Sequence, residues 1–195
     1  MSEVVPSWWC SWSAAARDAR LRLRRSERAA WQVVTEDREA ANQAVKSGVL
    51  RQLACGFLYG DDGKPVVYDD ARLNHILAWC DDLKGRPGLI FYEFVELGDQ
   101  LREFVPKNIL LAQINSMSHG VEGLQKTYHD CLFAAPVWSR DQREQAVGRV
   151  WRQGSTAEVV NVTTLVCDDT LDDVVLARVA GNARWMELFK QHLGE

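Results

Sequence analysis

The run Leu89-Ile90-Phe91-Tyr92-Glu93-Phe94, the stretch from Glu96 to Phe104, and the run Ile109-Leu110-Leu111-Ala112-Gln113-Ile114 decide the fold class. Both runs are short, continuous and apolar, as strands buried on both faces of a parallel sheet must be. The stretch between them has helical composition. Strand, helix and strand within about thirty residues make a βαβ unit, which predicts a parallel sheet with a right-handed crossover. Lys84-Gly85-Arg86-Pro87-Gly88 is the turn that leads in.

Downstream, Tyr128 to Phe133 reads as a third strand and Glu158 to Val166, rich in β-branched residues, as a fourth. Thr170 is placed to cap a following helix, whose positive end suits Asp168, Asp169, Asp172 and Asp173. These four aspartates lack the loop spacing of an oxygen cage, so capping is the reading and no metal site is predicted. A tail helix from Arg178 to Leu193 completes the chain.

Upstream, Ser13 to Ala54 is rich in Ala, Arg, Glu, Gln and Leu and reads as helical. On a helix, Arg17, Arg20, Arg24 and Arg28 form one stripe, either a solvated face paired with Asp18 and Glu27 or a surface for a phosphate backbone. Gly48 interrupts or ends a helix. Val49 to Tyr59 then forms a short buried helix before the turn Gly60-Asp61-Asp62-Gly63-Lys64-Pro65. Trp8, Trp9 and Trp12 carry too much apolar area to stay in water. They either staple the N-terminus to the body or form a partner-binding patch or a stacking surface for bases.

The chain has 195 residues, 47% of them hydrophobic, enough for one substantial core. A formal charge of −4 has the wrong sign for coating nucleic acid, so any DNA contact needs a local patch. Cys10, Cys55, Cys80, Cys131 and Cys167 are scattered and odd in number, which argues against a zinc site and a disulfide framework. No apolar run approaches membrane-spanning length and no signal-peptide pattern opens the chain, so a cytoplasmic protein without membrane contact is expected.

Chemistry concentrates in Gln142-Arg143-Glu144-Gln145-Ala146-Val147-Gly148-Arg149-Val150-Trp151-Arg152-Gln153-Gly154. Arg149 and Arg152, three apart, are expected to share a helix face with Gln145 nearby and to reach one phosphate. Gly148 weakens a helix, so it signals a close backbone approach or a short element.

The pattern Gln145-x-x-Gly148-Arg149-x-x-Arg152-x-Gly154 resembles the last motif of superfamily-two helicases, in the form used by Swi/Snf-type DNA translocases and their phage relatives. Ser155 stands where that family usually has Gln. Leu50-Arg51-Gln52-Leu53-Ala54-Cys55-Gly56-Phe57-Leu58-Tyr59 and Asp70-Ala71-Arg72-Leu73-Asn74-His75-Ile76-Leu77 resemble the structural entry to the second motor lobe. His75 is accordingly read as core or surface. The strand at Leu89 is similar to the fourth motif, and Asn115-Ser116-Met117-Ser118-His119-Gly120-Val121-Glu122-Gly123-Leu124-Gln125 to the fifth. There Ser118 replaces a glycine, Glu122 replaces an asparagine and Gly123 is inserted.

This resemblance spans roughly Val49 to Leu176. It implies a three-layer RecA-like parallel sheet, with residues 1–60 as a helical extension and 61–195 as the C-terminal helicase lobe. It also implies that Arg149 and Arg152 act as arginine fingers on ATP held by another lobe, that Gln145, Gly120 and Glu122 lie at the nucleotide, and that Ser116, Ser118 and His119 touch nucleic acid. The connection between the fourth and fifth motifs is shorter than in relatives by about one strand-and-turn unit, so the lobe looks trimmed. Neither a Gly-x-x-x-x-Gly-Lys-Ser/Thr loop nor an Asp-Glu-x-His box is present, so ATP and magnesium are expected only with a partner lobe. Two functions follow from the resemblance. One is a lobe that completes a DNA-dependent ATPase in trans; the other is a phage or mobile-element protein that binds and inhibits a partner helicase or nuclease.

Overall fold

The computed structural model describes residues 16–23, 43–60, 62–116 and 123–193. The elements in order are strand β1 (Ala16–Leu23), helix α1 (Gln43–Ala54), the hairpin strands β2 (Phe57–Tyr59) and β3 (Pro65–Val67), and α2 (Ala71–Asp82). Then come β4 (Gly88–Tyr92), α3 (Val95–Phe104), β5 (Ile109–Gln113), β6 (Asp130–Phe133), α4 (Arg140–Val150), β7 (Val160–Cys167), α5 (Leu171–Val179) and α6 (Trp185–Leu193).

Five strands form one all-parallel sheet in the order β1-β7-β6-β4-β5, and β2 and β3 make a separate antiparallel ribbon. The α/β class and the parallel sheet expected from β4, α3 and β5 are what the structure has. Alternate residues of β4 serve the two faces, as the period of a strand demands. Ile90 and Tyr92 join Ile76, Trp79 and Cys80 of α2 and Leu97 and Leu101 of α3 in one core. Leu89 and Phe91 join Ala146 and Val150 of α4 in the other. A third cluster seals α1, α5 and α6 together through Leu50, Leu53, Leu171 and Val174.

Three local expectations are corrected. Ala16–Leu23 is a strand, paired in parallel with β7 from Ala16 opposite Val160 to Leu23 opposite Cys167. The sequence Ala19-Arg20-Leu21-Arg22-Leu23 alternates with period two, and the ladder to β7 overrides a composition that favours helix. The stripe of Arg17, Arg20, Arg24 and Arg28 needs helical periodicity, which Ala16–Leu23 lacks. Second, α1 runs straight through Gly48, and Phe57–Tyr59 leaves the helix as a strand. Gly56, at φ +91°, makes that reversal: an added Cβ would sit 2.1 Å from Asp69 O. Third, the tail from Arg178 is broken into α5 and α6 by a turn at Gly181, φ +72°. The predicted Thr170 cap is present, its Oγ1 accepting from Asp172 N at 3.2 Å. The described cysteines, Cys55, Cys80, Cys131 and Cys167, are free and buried.

Candidate functional site

Open parallel sheets present ligands at the carboxyl ends of their strands, in the crevice where the chain reverses its direction of winding. Here α3 carries β4 to β5 on one side, and the chain then crosses to β6 on the other side of β4. The crevice therefore lies between Glu93-Phe94 after β4 and Ala134 to Val137 after β6. Arg51 of α1 fills it. Its Nη1 and Nη2 donate to Glu93 Oε1 and Oε2 at 2.9 and 2.5 Å, Nη2 also donates to Pro136 O at 3.2 Å, and the guanidinium lies 5.3 Å from the Phe94 ring centre. Burial opposes its charge, but the hydrogen bond and field of Glu93 outweigh that and hold its pKa above the ordinary value.

Behind it lies Arg72. Its Nε donates to Ala54 O at 3.0 Å, Nη1 to Ala134 O at 2.7 Å and Nη2 to Asp172 Oδ2 at 2.6 Å. One side chain thus ties the end of α1, the end of β6 and the start of α5 together. Burial works against this charge as well, and the Asp172 carboxylate more than restores it, raising the Arg72 pKa.

Ser116 stands exposed at the end of a single 3₁₀ turn, Ile114–Ser116, beyond β5. Its Oγ donates to Gln113 Oε1 at 3.1 Å, and Gln113 Nε2 donates to Glu93 O at 3.2 Å. Ser118, His119, Gly120 and Glu122 lie outside the described residues, as do Trp8, Trp9 and Trp12. At this same edge α4 begins, where Ser139 Oγ accepts from Gln142 N at 3.3 Å and Gln142 Nε2 donates to Asn115 Oδ1 at 3.4 Å.

From there α4 runs back against the strand direction. Its eleven residues, at a rise of about 1.5 Å each, put its last turn about 15 Å from the Ser116 loop, at the amino edge of the sheet. Gln145 is exposed midway and Arg149 is half-buried in the last turn. The helix stops at Val150, so Arg152 lies in the turn beyond rather than on a helix face shared with Arg149, which corrects the expectation from their spacing. Gly154, φ +88°, closes that turn, and Ser155 N donates to Arg152 O at 3.1 Å. Among the described residues no hydrogen bond or ion pair engages the side chains of Gln145, Arg149 or Arg152.

The arginine turn rests on the 3₁₀ turn Leu124–Lys126, to which Thr156 is tied by its Oγ1 donating to Lys126 O at 3.1 Å. Buried Gln125 sits beside Gly154, and its Oε1 has no partner among the described residues. The structure thus joins the end of the stretch from Asn115 to Gln125 to the end of the arginine stretch, and keeps Ser116 apart from both arginines. Arg51 with Glu93, and Arg72 with Asp172, were missed by sequence reading. Nothing in the residues next to either arginine marks it out, since polar neighbours such as Gln52, Asp70 and Asn74 stand beside them. Among the described residues no three His, Cys, Asp or Glu side chains converge on a metal position, and no helix is long and apolar enough to cross a membrane.

This geometry defines a RecA-like α/β fold. The chain overlays on the Sulfolobus solfataricus SWI2/SNF2 ATPase core, solved in complex with double-stranded DNA, with a TM-score of 0.59 and 16% identity over 90% of this chain and 45% of that one. On the C-terminal part of the Fun30 ATPase domain the TM-score is 0.47, with 17% identity over 56% of this chain and 44% of that one. In sequence it is 26% identical over 164 residues to protein p41 of Acyrthosiphon pisum secondary endosymbiont phage 1, matching 72% of this chain. The chain spans 35% of the length of that relative. No protein-family model matches.

Proposed function

We propose that the chain is a phage-type C-terminal helicase lobe that completes a DNA-dependent ATPase in trans with a separate ATP-binding lobe. The observation that carries this reading is the pair Arg149 and Arg152, raised on the end of α4 and its following turn with no described partner for either charge. Uncommitted guanidinium groups at a helix end can move onto the phosphates of a nucleotide held opposite, where they would offset the charge that develops during phosphoryl transfer. ATP and magnesium would be held by the partner lobe. Gln145, Gly120 and Glu122 would border the nucleotide; Ser116, Ser118 and His119 would follow a DNA backbone at the opposite edge of the sheet. The Arg51–Glu93 pair supports dependence on a partner, because it occupies the crevice this sheet would otherwise offer a ligand of its own.

The same filled crevice, together with the single helix α3 between β4 and β5, also favours a second reading: an interaction protein, engaged through Trp8, Trp9 and Trp12, that binds and blocks a partner helicase or nuclease. DNA-stimulated ATP hydrolysis by a Swi/Snf-type first lobe, with and without this chain, separates the two. Completion in trans predicts activity only in the mixture, falling about 10³-fold or more when Arg149 and Arg152 are both changed to alanine. Activity untouched by that double change refutes the finger role; an intact motor slowed by the chain supports inhibition.

A further inference from the structure

Gln125 is buried, yet its side-chain amide makes no hydrogen bond among the described residues. A buried amide without a partner costs stability that an apolar side chain of the same shape would not. Its place is fixed. Lys126 O accepts from Thr156 Oγ1, and His129 Nε2 lies 3.3 Å from Gln125 O and 3.1 Å from Thr156 Oγ1. The Thr156 hydroxyl proton is spent on Lys126 O, so the His129 ring nitrogen donates to both oxygens. These bonds clamp the turn Leu124–Lys126 onto the segment after α4.

What the amide meets there is the turn from Arg152 to Ser155. Ser155 N donates to Arg152 O, Gly154 takes a positive φ at the third position, and a Cβ on it would lie 4.0 Å from Gln125 Nε2. The first and last Cα atoms of such a turn stand within about 7 Å of each other. The Gln125 amide is therefore inside the reach of the Arg152 side chain, which is exposed and makes no described bond. A half-turn about the last side-chain bond of glutamine, where rotation is broad, brings Oε1 round to the Gly154 side.

We infer that Gln125 is a positioning residue for Arg152, its Oε1 accepting one guanidinium N–H and aiming the remaining donors at the phosphate. A neutral amide suits this task. It orients the fork without offsetting its charge, whereas a carboxylate at the same place would cancel the charge that phosphoryl transfer needs. Arg149 is not the partner, because it sits on α4 ahead of the turn that Gln125 meets. The role of the contact rests on the reading of an ATPase completed in trans; the contact itself does not.

Melting of the chain alone tests the contact. Gln125→Glu sets a carboxylate beside Arg152, so adding Arg152→Ala should lower the melting temperature by about 4 °C or more beyond the separate effects. Adding Arg149→Ala should not. Gln125→Met removes the unmet amide and should melt about 2–4 °C above the native chain. In the mixture with a Swi/Snf-type first lobe, Gln125→Met should lower kcat about 10-fold with the KM for ATP unchanged, and cause no further loss on Arg152→Ala. A merely structural glutamine does not give a variant that is both more stable and slower. The inference is overturned if Gln125→Glu and Arg152→Ala have additive effects on melting, if Gln125→Met melts below the native chain, or if an active mixture keeps its kcat with Gln125→Met. A native mixture without ATPase activity refutes the reading in trans and with it the role, while the melting experiment still decides the contact.

Discussion

Arg72 and Asp172, one hundred residues apart, meet in the interior with Nη2 donating to Oδ2 across 2.6 Å, their side chains 2% and 3% exposed. Asp172 Oδ2 also accepts Cys167 N at 3.0 Å, and Arg72 satisfies two further backbone carbonyls besides Leu165 O at 3.3 Å. Removing either partner strands a buried charge. Arg72→Met or Asp172→Leu alone is expected to cost about 3–5 kcal/mol in urea unfolding. Combining them should recover only part of the loss, because the carbonyls of Ala54, Ala134 and Leu165 lose their donor. Full recovery would show that those three bonds contribute nothing.

The Arg51–Glu93 pair is bidentate and mostly shielded from solvent, with side chains 12% and 25% exposed. Glu93→Ala leaves Arg51 without its carboxylate and should cost about 1–3 kcal/mol. A double-mutant cycle with Arg51→Ala is expected to return a coupling energy clearly above zero; additive effects would mean that the pair only fills space.

Two helical glycines should respond in opposite ways. A Cβ on Gly98 would fall 2.2 Å from the Tyr92 ring, so Gly98→Ala must push α3 off β4, at a cost of about 1–3 kcal/mol. Gly148 has no described atom within 4 Å of the same position, so Gly148→Ala should stabilise α4 by up to about 1 kcal/mol. Thermal melts of the two variants, compared with the native chain, decide both.

Burial pushes the Cys131 thiol up to about 12, with Asp130 adding to it, and the Cys55 thiol up to about 11, each from a reference of 9.0. A thiol with a raised folded pKa contributes stability that is intact below pH 9 and is lost as pH climbs toward the folded value, because the unfolded chain ionises first. Between about pH 8 and pH 10, stability should fall by up to about 1.4 kcal/mol for each thiol. Cys131→Val should flatten that slope; a slope unchanged by the substitution would contradict this origin.

Because Arg149 and Arg152 have no described partner, replacing both with alanine should alter unfolding free energy by no more than about 0.5 kcal/mol. Loss of ATPase activity in a reconstituted mixture, without loss of fold, would then belong to the guanidinium groups themselves. Marked destabilisation would instead make them structural.

The sequence by itself determined the middle of this protein. Continuous apolar runs and the spacing of β4, α3 and β5 specify a buried parallel unit, and Thr170 marks its helix start, because these signals arise among residues within a few positions of one another. Tertiary structure decided the rest. Ala16–Leu23 became a strand because β7 offered its edge, against a composition that favours helix. The shared helix face expected of Arg149 and Arg152 ended at Val150, where Trp151 leaves the helix at φ −103°, ψ 87°. Arg51 found Glu93 and Arg72 found Asp172 only because chain winding brings α1, α2 and α5 to one edge of the sheet. Ion pairs separated by 42 and 100 residues leave no periodicity in the chain; they exist only once the sheet order does.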